Sequence, residues 1–251
     1  VSTGKNPLAK AEAADKKRKI AIQVGVTAVL VALVAAIGIG IAMNRSSEPE
    51  VSAEITPPVE TQLSPVGGAV TETGTVRVGN PDAPVQVRVV ADMQCPACQQ
   101  FETANGAALA EATANGTAVV EYQVISFLDR ASSNQYSSRA ANASFCVAQS
   151  GTDNYQDWLQ SMFERQSGEG GAGLSNEELV QIANDAGYTD PAVTTCIVDR
   201  PYHDYVMAVT QETMAGGVES TPSVFVNGEL NQTDALFTPN GLASVIADAA
   251  K

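Results

Sequence analysis

The stretch Asp92-Met-Gln-Cys95-Pro96-Ala97-Cys98 sets two thiols two residues apart at the point where an apolar strand gives way to a helix. Val85, Val87, Val89 and Val90 form the β-branched run before it, and Cys98 to about Ala114 is rich in Ala, Glu, Gln and Leu, as a helix is. A helix that begins near Cys95 offers unpaired N–H groups and a positive dipole end, both of which favour a thiolate over a thiol. Cys95 is then the attacking sulfur. Cys98, one turn further in and less exposed, is the resolving partner that collapses a mixed disulfide.

Two plainer uses of such a pair fit less well. A four-Cys zinc site brings a second close pair, whereas Cys146 and Cys196 are 50 residues apart and the single His203 has no ligand neighbour at suitable spacing. His203 reads as a surface residue, neither acid nor base. A structural staple is disfavoured because a two-residue gap closes too small a loop to constrain the unfolded chain.

Ile20 to Met43 is a 24-residue uncharged span in which only Gln23 and Thr27 are clearly polar. At about 1.5 Å per residue it reaches roughly 36 Å, enough to cross a bilayer with some tilt. A cleaved signal peptide has an apolar core of about 7 to 15 residues, so the longer span reads as an uncleaved anchor. Residues 1–19 carry six basic and two acidic residues, and beyond the span only Arg45 is basic before Arg77. That asymmetry keeps the N-terminus cytoplasmic and exports the chain beyond Met43, into a compartment where disulfides persist. From Ser46 to Lys251 there are 7 basic and 26 acidic residues. Nucleic acid and anionic lipid are poor partners for such a surface, whose plain reading is solubility.

Asn44 to about Gly74 holds Pro49, Pro57, Pro58 and Pro65 among Ser, Glu and Thr, with no apolar periodicity. It reads as a tether whose ends lie on the order of 30 Å apart. The rest is long enough for one domain with a full core. Ala118 to Phe127 is a mostly apolar second strand, expected to be central. Tyr155, Trp158, Leu159, Met162 and Phe163 make one helical stripe that stops at a Gly-rich loop, with Trp158 in the core. Ser175 and Glu178 form a capping box before Leu179, Gly187 ends that helix, and Asp190-Pro191 starts another that carries Cys196. Ser223 to Val226 is a short strand, Asn227-Gly228 a tight turn, and Pro239 opens a last helix to Ala250.

Three features together resemble the DsbA-like branch of the thioredoxin superfamily, in particular the membrane-anchored disulfide oxidoreductases of Gram-positive bacteria and actinobacteria. They are the strand leading into Cys95-Pro96-Ala97-Cys98, the helical block after the second strand, and Thr221-Pro222-Ser223 leading into Val224-Phe-Val-Asn-Gly228. The resemblance covers about Gly74 to Lys251. It implies an α/β thioredoxin fold with an inserted helical domain, preceded by one transmembrane helix. The expected boundaries are a cytoplasmic basic tail at 1–19, the transmembrane helix at 20–43 and the tether at 44–74. Beyond these come a first thioredoxin-like part at 75–130, the helical insertion at 131–195, and a long helix with the second thioredoxin-like part at 196–251. By position it implies a cis Thr221-Pro222 bond facing the C-x-x-C. Such a bond turns the backbone of Thr221 outward, where an extended client segment can pair with it. The plainer reading is that Pro222 merely starts a strand.

In an exported domain with an even cysteine count, Cys146 and Cys196 most simply pair with each other, two buried free thiols being the alternative. Between the catalytic cysteines stands Pro96-Ala97, without the histidine of the strongest oxidants of the family. Ala97 offers no side-chain group to hold a thiolate, and nearby Asp92 opposes one, so a milder oxidant is expected, between thioredoxin and DsbA.

The resemblance implies an extracytoplasmic oxidase of reduced, exported proteins. It works through the redox-active disulfide with no other cofactor and is reoxidised by a quinone-linked membrane protein of the DsbB or vitamin K epoxide reductase type. A disulfide reductase or isomerase, and a non-catalytic chaperone-like module, are the competing readings.

Overall fold

Val85, Val87 and Val89 point to one side of their strand and Val90 to the other, yet all four are buried. A strand so placed has to lie inside a sheet covered on both faces. In the computed structural model, which describes residues 69–251, that strand is β2 (Val85–Ala91). The others are β1 (Val76–Val78), β3 (Ala118–Val124), β4 (Ser223–Val226) and β5 (Glu229–Asn231). They form one sheet in the order β1-β3-β2-β4-β5. Only the β2–β3 pair is parallel among these neighbours. Its register aligns Ala91 with Val124, while Val90 faces Ser223 of β4. The segments after β2, after β3 and before β4 therefore emerge at the same end of the sheet.

The helices, in chain order, are α1 (Pro96–Ala114), α2 (Tyr136–Ser150), α3 (Tyr155–Glu164), α4 (Asn176–Asp185), α5 (Pro191–Asp199), α6 (His203–Ala215) and α7 (Gly241–Ala249). On one face of the sheet the Tyr122 ring lies 5.6 Å from that of Tyr155, and the Tyr122 hydroxyl accepts from Gln156 Nε2 at 2.9 Å. Helix α3 thereby packs there, together with α1 and α7. On the other face Gln123 Nε2 donates to Thr213 Oγ1 and the Ser126 N–H to Thr210 Oγ1, both at 2.9 Å, which fixes α6. The result is a three-layer α/β unit, with α2 to α5 inserted between β3 and α6.

Local chemistry accounts for several boundaries. The α3 stripe is buried along its whole length, Trp158 included. The Ser175 hydroxyl accepts from the Glu178 N–H and the Glu178 carboxylate from the Ser175 N–H, a complete capping box. Asp190 caps α5 through the Ala192 N–H, with Pro191 in the first turn.

Four boundaries differ from the sequence reading. Ala69 to Gly74 belongs to the fold: Val70 is buried and bridges Val76, and Gly74, at φ +73°, turns so close to α6 that a Cβ would stand 2.4 Å from Val209. Strand β1 was missed because three residues are too few to display alternation. No single long helix runs on from Cys196; α5 stops at Arg200, which is left-handed, because Pro201 disfavours the helical region before it and has no N–H to give. Pro239 lies in a turn, and α7 begins at Gly241, where a Cβ would meet the Ala235 carbonyl oxygen at 2.3 Å. The basic tail, the apolar span Ile20 to Met43 and nearly all of the tether lie outside the described residues. Among the described residues no helix is long and apolar enough to cross a membrane.

Candidate active site

Cys95 is the N-cap of α1, in extended conformation at φ −74° and ψ 119°, and Pro96 occupies the first turn, where its missing N–H leaves no bond unmade. Both thiols are free. Cys98 is fully buried, whereas Cys95 keeps 6% of its surface exposed, so only one sulfur is open to attack. The Thr221-Pro222 peptide is cis, and the Cys95 thiol donates to the Thr221 carbonyl at 3.3 Å. Cys95, Cys98, Thr221 and Pro222, up to 127 positions apart in sequence, thus meet at one end of the sheet. Pro96 is exposed and Ala97 is half-buried against the core.

The two sulfurs are driven in opposite directions. Hydrogen bonding from the Cys98 thiol is the largest influence on Cys95 and pulls it down to about 6, aided by the Thr221 hydroxyl and by the Cys98 and Ala97 N–H groups against the opposing effect of burial. The Thr221 carbonyl acts the other way, since it accepts only from the thiol. Burial, joined by the neighbouring Cys95, pushes Cys98 well above an ordinary thiol. Ala97 therefore helps through its backbone, although its side chain contributes nothing.

Asp92 supports this turn from behind. It is fully buried and its carboxylate accepts three bonds: from the Gln94 N–H (2.8 Å), the Leu128 N–H (2.8 Å) and the Ser137 hydroxyl (2.7 Å). It ties the C-x-x-C turn to the segment after β3 and to the first turn of α2. Burial raises it to about 6 against those donors, and the Cys95 thiolate adds to the rise, so the opposition between the two groups read from the sequence is present. On the other side of the turn, Gln166 Nε2 donates to the Met93 carbonyl (2.8 Å) and the Cys95 carbonyl (3.0 Å).

One turn below Cys98 lies Glu102, buried and raised by that burial to about 7. Gly106 makes room for it, since a Cβ there would sit 2.7 Å from Glu102 Oε1. An acid four residues after Cys98, on the face that carries Phe101 and Leu109, was a readable signal. Gln166, Gln94 and Ser137 had none, because they act across long sequence gaps.

Cys146 and Cys196 form a disulfide between α2 and α5, apart from this site. Asn142 lies across it: its amide donates to the Cys196 carbonyl (3.2 Å) and its oxygen accepts from the Tyr202 N–H (3.0 Å). His203 is half-buried, with Nδ1 2.8 Å from Arg200 Nη2, rather than free at the surface. Among the described residues no group of three or more His, Cys, Asp or Glu is placed to hold a metal ion.

A family model described as thioredoxin matches residues 71–248. The chain belongs to that family. Within it the similarity is to the DsbA type. Oxidised DsbA of Mycobacterium tuberculosis is 29% identical, with a TM-score of 0.62 over 70% of this chain and 92% of that one. The reduced DsbG of the same organism is 28% identical, with a TM-score of 0.58 over 70% and 92%. MdbA of Actinomyces oris, at 18% identity, shares the fold at a TM-score of 0.63 over 75% and 91%. The described domain is thus DsbA-like, similar to proteins named as thiol:disulfide oxidoreductases. A curated relative, the serine/threonine-protein kinase PknE of M. tuberculosis, is 34% identical over 168 residues, which are 64% of this chain. The match spans only 29% of that kinase's length, and the activity in its name is a statement about that protein.

Proposed function

We propose that this protein introduces disulfides into reduced exported proteins. With Cys95 and Cys98 joined, a client thiolate attacks Cys95 Sγ and breaks the Cys95–Cys98 bond. Cys98 leaves as a thiolate and takes up a proton. A second client thiolate then attacks the client sulfur of the mixed disulfide, and Cys95 departs as a thiolate. The client loses two electrons and the enzyme is left as a dithiol, which a quinone-linked membrane protein reoxidises.

The observation that carries this reading is the lowered Cys95 at the head of α1. A low leaving-group pKa speeds release of the oxidised client and stabilises the reduced enzyme, the condition for an oxidant. That lowering, from the ordinary thiol value to about 6, is the direction an oxidant requires. Attachment to the cytoplasmic membrane through Ile20 to Met43, with the folded domain outside, is part of the same proposal and rests on the length of the span and its basic flank.

Equilibration with glutathione buffers tests the direction of the reaction. We expect a reduction potential well above that of thioredoxin; a value at or below about −270 mV would make the protein a reductase. Cys95→Ser separates catalysis from a chaperone-like role, because full activity of that variant on a reduced client leaves no place for the dithiol reaction.

A further inference from the structure

Gln166 lies in the connection that leaves α3, outside every motif in the sequence. The two carbonyls it holds, those of Met93 and Cys95, bracket Gln94 and belong to the turn that delivers Cys95 to the head of α1. We propose that Gln166 is a positioning residue for the Cys95 sulfur, fixing from the helical insertion the turn that carries it. The inference rests on the reading of Cys95 as the reacting group.

The inner side of the turn is fixed by its own neighbours: the Cys95 N–H donates to the Asp92 carbonyl (3.0 Å) and the Gln94 N–H to the Asp92 carboxylate (2.8 Å). Gln166 takes the other side, the carbonyls of Met93 and Cys95. The Cys95 carbonyl is also the first acceptor of α1, receiving the N–H groups of Cys98 (3.1 Å) and Gln99 (3.2 Å). Gln166 therefore grips the same peptide group that registers the helix to the sulfur. Hydrogen bonds weaken steeply as their angle closes, so a small rotation of this peptide shifts Cys95 Sγ against the Cys98 thiol and against the Thr221 carbonyl 3.3 Å away. A second glutamine joins α1 to α3 by a side chain that does not reach the turn: Gln99 Nε2 donates to the Phe163 carbonyl at 2.7 Å, in the last turn of α3. Gln99 thus supplies an internal control.

The test is the pH titration of thiolate absorbance in the intact, reduced chain. Gln166→Ala is expected to raise the Cys95 midpoint by about one pH unit, a tenfold loss of thiolate at any pH below it. Its equilibrium with glutathione should move in step toward the disulfide form. Gln166→Glu, which keeps the length but cannot donate as a carboxylate, is expected to shift the midpoint at least as far. Gln99→Ala should shift it far less. An unchanged midpoint in both Gln166 variants overturns the positioning role, as does an equal shift in Gln99→Ala, which would make Gln166 only a tie between helices. A wild-type Cys95 that titrates like an ordinary thiol would instead remove the proposed reaction, and this inference with it.

Discussion

Cys95 and Cys98 are three positions apart, yet the hydrogen bond from the Cys98 thiol brings Cys95 down to about 6 while burial pushes Cys98 well above an ordinary thiol. The disulfide binds no proton at these sulfurs, and the dithiol binds two below the Cys95 midpoint and one above it. The reduction potential should therefore fall by about 59 mV per pH unit below pH 6 and by about 30 mV per unit above it. Potentials measured from pH 5 to pH 8 locate the break; a single slope through pH 6 means that Cys95 is not lowered. Glu102 bears on stability instead. Its folded value, about 7, lies above the ordinary carboxylate value of 4.5, so its contribution is fully present below pH 4.5 and is lost as pH rises through 7. Glu102→Gln should match the wild type near pH 4 and be more stable at pH 8 by about 3 kcal/mol in urea unfolding. Parallel curves for the two proteins would show that Glu102 does not carry this dependence. The placement of Cys95 and Cys98 at a strand-to-helix turn was legible because strand, turn and helix signals surround them within a few residues. The Gln166 and Ser137 contacts were not, because a glutamine or serine that binds across 40 or more positions leaves no periodic trace.

At the scale of elements, α1 carries the reacting sulfur at its head and is anchored nearly three turns below by Asn105. That side chain is fully buried; its amide donates to the Leu236 carbonyl (2.9 Å) and its oxygen accepts from the Leu242 N–H at the start of α7 (2.9 Å). Asn240 adds a bond from its N–H to the Ala104 carbonyl (2.7 Å). Asn105→Ala leaves a buried carbonyl and a buried N–H without partners and should cost about 2 to 3 kcal/mol, read from the urea midpoint at unchanged slope. A loss within 0.5 kcal/mol, the ordinary surface range, would mean that solvent replaces the amide. The same junction explains which elements the sequence disclosed. Helix α3 and the capping box of α4 follow from rules that act within one or two turns, and both were readable. The true start of α7 was not. It is set by the fit of Gly241 against Ala235 and by the bond to Ala104, whereas Pro239 alone pointed two residues too early.

Over the whole described domain, the helical insertion is tied in two ways. It meets the thioredoxin-like core at the active-site turn, held through Ser137 of α2 and through Gln166, and within the insertion itself α5 is joined to α2 by Cys146–Cys196. The first turn of α2 is fixed independently of that disulfide: the Asp129 carboxylate accepts the Ser138 N–H (2.9 Å), and Arg139 bonds the Asn134 carbonyl (3.1 Å) and the Asn176 side chain (3.1 Å). The disulfide joins residues 50 positions apart. Loop-closure entropy puts its contribution at about 4 kcal/mol, acting through the unfolded chain. Replacing both Cys146 and Cys196 by Ala should therefore lower the unfolding free energy by about that amount while the Cys95 midpoint stays near pH 6. Denaturant unfolding and the thiolate titration of the same variant read the two quantities separately. If the midpoint rises together with the loss of stability, Asp92 is released when α5 loosens. The clamp at the far end of α2 would then govern the acidity of the reacting thiol as well as the stability of the domain.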